Sequence, residues 1–210
     1  MEWLTAALVV TSSALGSLGN VPQIARTFRL KDASGVSISG EVGFLVICIG
    51  FVAYALHLDS LPLLGTTVPE VLLLGTLSVL ALRHGGVRDH MWVPAAMTVV
   101  FVAVLGIGGW TAFSLALTGG TVTAFAPSVW AVWTEERIRG VSAVTWWLYT
   151  GYGLAWASLG VIESSRSVVF NGGVTAAMSL AVLVGLWVRR SHREEPGRSP
   201  RRLGAFAEGG

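Results

Sequence analysis

Apolar residues in this chain gather into long stretches separated by short polar connections. The stretches cover residues 3–27, 39–57, 62–83, 92–110, 112–134, 143–162 and 167–188. Each is close to the roughly 20 residues that a helix needs to cross about 30 Å of hydrocarbon. Backbone in lipid must satisfy its own polar groups, so every stretch is expected to be helical. The pattern predicts an all-α integral membrane protein with seven transmembrane helices.

A repeat is laid over this pattern. Late in the first stretch, Pro22-Gln23 is followed thirteen residues after the proline by Gly35-Val36-Ser37. Late in the fifth, Pro127-Ser128 is followed at the same distance by Gly140-Val141-Ser142. The offset is 105 in both cases, and it lays stretches 1, 2 and 3 on stretches 5, 6 and 7. The fourth stretch is left over. A copy of three spans would point the wrong way unless one further span intervened, so the expected layout is 3+1+3. The boundaries are a first three-helix repeat at 1–83, a linker helix at 84–111, a second repeat at 112–190 and a disordered cytoplasmic tail at 191–210. Two parallel halves about a pseudo-twofold along the membrane normal are a known transporter plan, with the site between them near mid-bilayer.

Composition agrees and charge adds an orientation. Only 12% of the residues are charged, against about 25% in soluble domains. If the spans alternate, thirteen of the fourteen Lys and Arg lie on one face, with only Arg166 on the other. Basic residues stay cytoplasmic, which predicts an N-terminus outside, a cytoplasmic C-terminus and residence in the plasma (inner) membrane. Glu2 precedes the first stretch and Arg26, Arg29 and Lys31 follow it, so it reads as a retained span rather than a signal peptide. The bases adjoin spans and set topology, so no nucleic-acid partner is expected. The partners expected are the bilayer and a small polar solute, with a homo-oligomer left open. Cys48 is the only cysteine, which excludes an intramolecular disulfide and a cysteine-based metal site. No catalytic Ser-His-Asp set, metal-spaced histidines or phosphate-cradling loop is present, so neither an enzyme, a metal nor a cofactor is expected.

Three residues read as hinge elements. Pro22 and Pro127 each remove one helical hydrogen bond and bend their span, and Gln23 is placed to pair the carbonyl that Pro22 frees. Glu70 is the sharpest chemical feature. It lies one turn after Thr66, on the same face, inside an apolar span where a charge costs about 2.5–3.5 kcal/mol. No Lys or Arg lies at similar depth, so Glu70 is a candidate for proton coupling or cation binding; the plainer alternative is a protonated glutamate bonding a neighbouring helix. Its counterpart at the offset is Thr175. Ser13, Gly16 and Asn20 form a small-polar stripe, read first as close helix packing and second as pathway lining.

Val21-Pro22-Gln23 with Gly35-Val36-Ser37, and Ala126-Pro127-Ser128 with Gly140-Val141-Ser142, make the chain resemble the PQ-loop, or SWEET-like, transporter family over about residues 3–190. The resemblance implies a carrier working by alternating access, with a cargo such as a sugar or an amino acid. Sugar-carrying members bind through an aromatic on the second helix of each half and an asparagine on the third. Asn171 and Trp156 match that pair in the second half, and Thr66 and Phe51 stand at the equivalent places in the first. A sugar is therefore the first expected cargo. A proton-coupled amino-acid or cationic-solute transporter using Glu70 is the alternative, and a non-transporting receptor on the same scaffold is the reading from another class.

Overall fold

The computed structural model describes residues 2–162, 164 and 166–191. Among these residues the regular structure is six α-helices, and one isolated parallel bridge joins Ser37 and Val87. Helix α1 is Glu2–Leu30, α2 Ile38–His57, α3 Leu61–Arg83, α4 Trp92–Thr134, α5 Ala143–Ile162 and α6 Arg166–Ser191. Of the tail expected at 191–210, Ser191 closes α6 instead, and 192–210 lie outside the described residues.

Four stretches are long and apolar enough to cross a membrane: Ile38–His57, Leu63–Arg83, Trp92–Thr134 and Val168–Arg189. Neither α1 nor α5 is among them. Ser12, Asn20, Gln23 and Thr27 interrupt the apolar run of α1, and Thr145 and Thr150 that of α5. All six are buried, so these two helices spend their polar residues on the inside of the bundle. The outer surface is the reverse. Leu72, Val102, Ile107, Leu154, Val161 and Trp187 are exposed on it. Polar groups within and large apolar side chains outside fit helices surrounded by lipid.

Helix α4 spans 43 residues and covers both the fourth and fifth apolar stretches. A polar connection was the expectation at 109–111. Instead the helix is broken at Gly109, whose φ of 67° and ψ of −168° are outside helical space. That backbone region is essentially restricted to glycine, so one residue does the work of a loop.

The neighbours follow a simple scheme. Helix α3 packs on both α1 and α2, and α6 packs on both α4 and α5. Between these groups, α1 meets α5 and α2 meets α4. Exchanging α1 with α4, α2 with α5 and α3 with α6 leaves this set of neighbours unchanged.

The repeated Gly-Val-Ser motif has a mechanical explanation. Gly35 has φ of 82°, and a Cβ there would lie 2.8 Å from the Ile138 Cα. A Cβ on Gly140 would lie 2.7 Å from the Ala33 Cα. Each glycine thus lets one connection press against the backbone of the other, and Gly140 N donates to Ser34 O at 3.0 Å. The serines cap the helices that follow: Ser37 Oγ accepts from Gly40 N at 3.2 Å, and Ser142 Oγ accepts from Thr145 N at 3.4 Å. One apolar cluster seals this end, built on Ile38, Phe125, Val132, Val141 and Val182.

Candidate functional site: a polar cavity between the helix groups

A cavity of about 200 Å³ lies among α1, α2, α3, α4, α5 and α6. Pockets for drug-sized ligands run to about 300–1,000 Å³, so this volume suits a smaller molecule. Phe51, Thr66, Glu70, Trp156 and Asn171 all line it. The five positions singled out for substrate and coupling are therefore brought together, although they come from four helices. A second lobe of about 50 Å³ shares Phe51, Glu70, Tyr152 and Asn171 and adds Asn20, Cys48, Tyr149 and Thr175. A third space of only about 10 Å³ lies by Gln23, Gly35, Ser37, Glu41 and Ser128. The interior is widest where α3 and α6 begin and narrows toward the Gly-Val-Ser connections.

Glu70 sits where the two larger lobes join. Its Oε2 accepts from the Cys48 thiol at 3.5 Å. The carboxylate also lies hard against α1 at Gly16, where an added Cβ would be 2.5 Å from Oε1 and 2.9 Å from the Tyr152 ring. Only a residue without a side chain leaves room for both groups. The small-polar stripe of α1 thus serves packing at Gly16, while Ser13 and Asn20 line the cavity. Asn20 Oδ1 accepts from Tyr149 Oη at 2.9 Å, which fixes the phenol in the inner lobe.

Aromatic rings form one wall. Phe44 and Tyr149 have centroids 6.2 Å apart, and Tyr149–Tyr152 and Tyr152–Trp156 are both 6.3 Å apart. Helix α3 contributes hydroxyls to the lining. Thr66 Oγ1 and Thr67 Oγ1 donate to Leu63 O at 2.9 and 2.8 Å, leaving their oxygens able to accept.

Two polar atoms of the cavity residues lack a well-formed hydrogen bond. Asn171 Oδ1 is sealed from solvent and has no hydrogen-bond partner among the described residues; Trp156 Nε1 is sealed too and makes no well-formed hydrogen bond, the Tyr152 side chain being its polar neighbour. A buried amide or indole N–H left so costs free energy, and such groups call for a water or a ligand. They are an acceptor and a donor, the complement of a hydroxyl-bearing solute.

The hinge candidates lie elsewhere. Pro22 and Gln23 are in α1 and Pro127 is in α4, and none of them lines the larger lobes. Gln23 does not pair the carbonyl of its own helix, as had been expected. It reaches across instead: Oε1 accepts from Ser142 N at 2.6 Å and Nε2 donates to Gly140 O at 2.7 Å, with a further bond to Thr27 Oγ1 at 3.2 Å. The physical reason is that two adjacent backbone groups of the second connection present a matched donor and acceptor to one amide. Arg26 adds two bonds to Arg139 O, at 2.9 and 2.7 Å.

Cys48, Tyr149, Tyr152 and Thr118 line the cavity and were not among the expected site residues. Tyr149, Tyr152 and Trp156 stand at i, i+3 and i+7, a spacing that places them on one helix face. No protein-family model matches this chain, and no curated protein matches it either.

Proposed function

We propose that this chain is a membrane carrier of the PQ-loop, SWEET-like type that moves a small polar solute by alternating access between two three-helix halves. In this reading α1–α3 form one half. The part of α4 after Gly109 forms the other with α5 and α6, and residues 92–108 are the linker helix. The exchange of neighbours among helices supports the pairing, and so does the motif recurrence at an offset of 105. The single observation that carries the function is Asn171 Oδ1, sealed and without a hydrogen-bond partner among the described residues, on the lining of a cavity that Trp156 also lines. The narrowing toward Gln23 fits a state closed at that end. Pro22 and Pro127 are the proposed hinges.

An amide beside an indole favours a sugar as the first cargo to test, since one bonds hydroxyls and the other stacks on a C–H face. We place the N-terminus outside and the Gln23 end on the cytoplasmic side of a plasma (inner) membrane, on the strength of the Arg and Lys asymmetry. The test is uptake into proteoliposomes of a panel of radiolabelled sugars and amino acids at two pH values. Asn171→Ala is expected to abolish uptake while surface expression is unchanged; full uptake by that variant removes Asn171 from the site. Binding without flux for every solute bound sinks the carrier reading and leaves the receptor alternative. Proton coupling through Glu70 has its own outcome: a pH gradient drives uptake by the parent and not by Glu70→Gln.

A further inference from the structure

Ionised, Glu70 gives the cavity a charge that a neutral cargo does not balance. Glu70 lines both larger lobes, and among the described residues no Lys or Arg lines either of them. The donor that reaches its carboxylate is a thiol at 3.5 Å, and a thiol is a weak donor. A buried carboxylate without a counter-charge is costly, and a well-placed partner of opposite sign offsets part of that cost. The surroundings are aromatic: Phe44 and Tyr149 in the inner lobe, Phe51 and Tyr152 at the junction, and Trp156 in the larger lobe. A cation within about 6 Å of an aromatic centroid is attracted to the ring face. Glu70 Oε1 and the Tyr152 ring crowd the same point on Gly16, within 2.5 and 2.9 Å of an added Cβ, so a cation paired with Glu70 lies beside an aromatic ring.

We infer that the solute carried is a small organic monocation bearing a hydroxyl, with its ammonium group held between Glu70 and the aromatic wall and its hydroxyl end at Asn171 and Thr66. This rests on the carrier reading above and narrows it to one chemical class. A zwitterionic amino acid fits less well, because its carboxylate enters a cavity whose lining holds a carboxylate and no base. A neutral sugar satisfies Asn171 and Trp156 but leaves Glu70 without a counter-charge.

Choline and its neutral carbon isostere, dimethylbutanol, have nearly the same shape and the same hydroxyl and differ in charge, so the pair isolates the claim. Binding of each to the purified full-length protein in nanodiscs is measured by calorimetry and tryptophan fluorescence. The expected result is a preference for choline of about tenfold or more. Glu70→Gln brings the preference to within about threefold, in a variant whose monodisperse profile and cooperative melting show that it is folded. If Glu70→Gln does not fold, Glu70→Asp keeps the preference at weaker affinity. Equal binding of the two probes by the parent, no choline binding, or a preference that survives Glu70→Gln overturns the inference. Sugar flux without choline binding removes the charge assignment and leaves the carrier intact. Choline binding without flux of any solute does the opposite.

Discussion

Gln23 ties α1 to the second Gly-Val-Ser connection through buried groups, and its removal should loosen that end of the molecule. Gln23 is 3% exposed and Ser142 5% exposed, so little water reaches the bonds between them. In Gln23→Ala, Ser142 N and Gly140 O lose partners now held at 2.6 and 2.7 Å. A buried polar group left unpaired costs about 1–3 kcal/mol. Two of them give about 2–6 kcal/mol, which incoming water reduces to about 2–4 kcal/mol, and on the alternating-access reading this shifts the closed-to-open balance by roughly thirtyfold to several hundredfold. Arg26 supplies a built-in control. It also makes two bonds, to Arg139 O, but these are exposed. Water replaces them, so Arg26→Ala is expected to change the balance by no more than about threefold. The assay is maleimide labelling of Val141→Cys, a buried position at this end, in a Cys48→Ser background that removes the only native thiol. Labelling should accelerate by about thirtyfold or more with Gln23→Ala and barely change with Arg26→Ala. Equal rates in the parent and Gln23→Ala, in a protein that remains monodisperse, would refute the latch. Equal acceleration by both variants would show that bond number rather than burial sets the energy.

Three further outcomes follow from local geometry. In Gly153→Ala the new Cβ falls 2.5 Å from Ala176 N and 2.7 Å from Gly172 O; backbone cannot swing aside, so α5 and α6 are forced apart and the melting temperature in detergent drops by an amount equivalent to about 1–3 kcal/mol. Gly109→Ala has open space around its Cβ but keeps φ of 67°, so it loses about 1–3 kcal/mol through strain alone, with uptake per folded molecule preserved. Asp32 Oδ1 accepts from Ser34 N at 2.8 Å, and this bond holds the carboxyl below its usual 3.8. A depressed carboxyl stabilises the fold above its unfolded value and loses that contribution as pH falls through the folded value. Melting curves of the parent and Asp32→Ala should therefore differ at pH 7 and converge in strong acid, and the gap is small because the group is mostly exposed.

The helices were readable because lipid leaves few alternatives: a long apolar run must be helical, and its length marks it. The break at Gly109 was not readable as a break. Gly108, Gly109 and Trp110 look like a tight outside turn in letters, and only backbone angles distinguish a turn from a sharp discontinuity in a continuing helix. Glu70 stood out because a carboxylate is conspicuous in an apolar span. Tyr149, Tyr152 and Cys48 did not, since hydroxyl, thiol and ring suit packing, interface and cavity equally well in a chain with nine tryptophans. Their facing depends on how α5 and α2 rotate about their axes, which the neighbours decide. Gln23 misled for a similar reason. The nearest unsatisfied carbonyl belonged to its own helix, yet its partners are 117 and 119 residues away.

The departures from the repeat are as informative as the repeat. At an offset of 105, Gln23 faces Ser128, Phe44 faces Tyr149, Thr66 faces Asn171 and Glu70 faces Thr175. Both members of the last pair line the same 50 Å³ lobe. A second carboxylate at Thr175 would put like charges into one small space of low dielectric, where each raises the cost of the other. A single acid is therefore the arrangement that allows a charge at all. Tyr149 stacks on Phe44 in that same lobe, so one phenol anchored by Asn20 suffices to orient the pair. When two copies of a helix bundle share one cavity, a residue is needed there once, and its counterpart is free to become small. The chemistry of this interior follows from that economy of space: the carboxylate on α3 and the Gln23 amide on α1, the Asn171 amide on α6 and the Trp156 indole on α5.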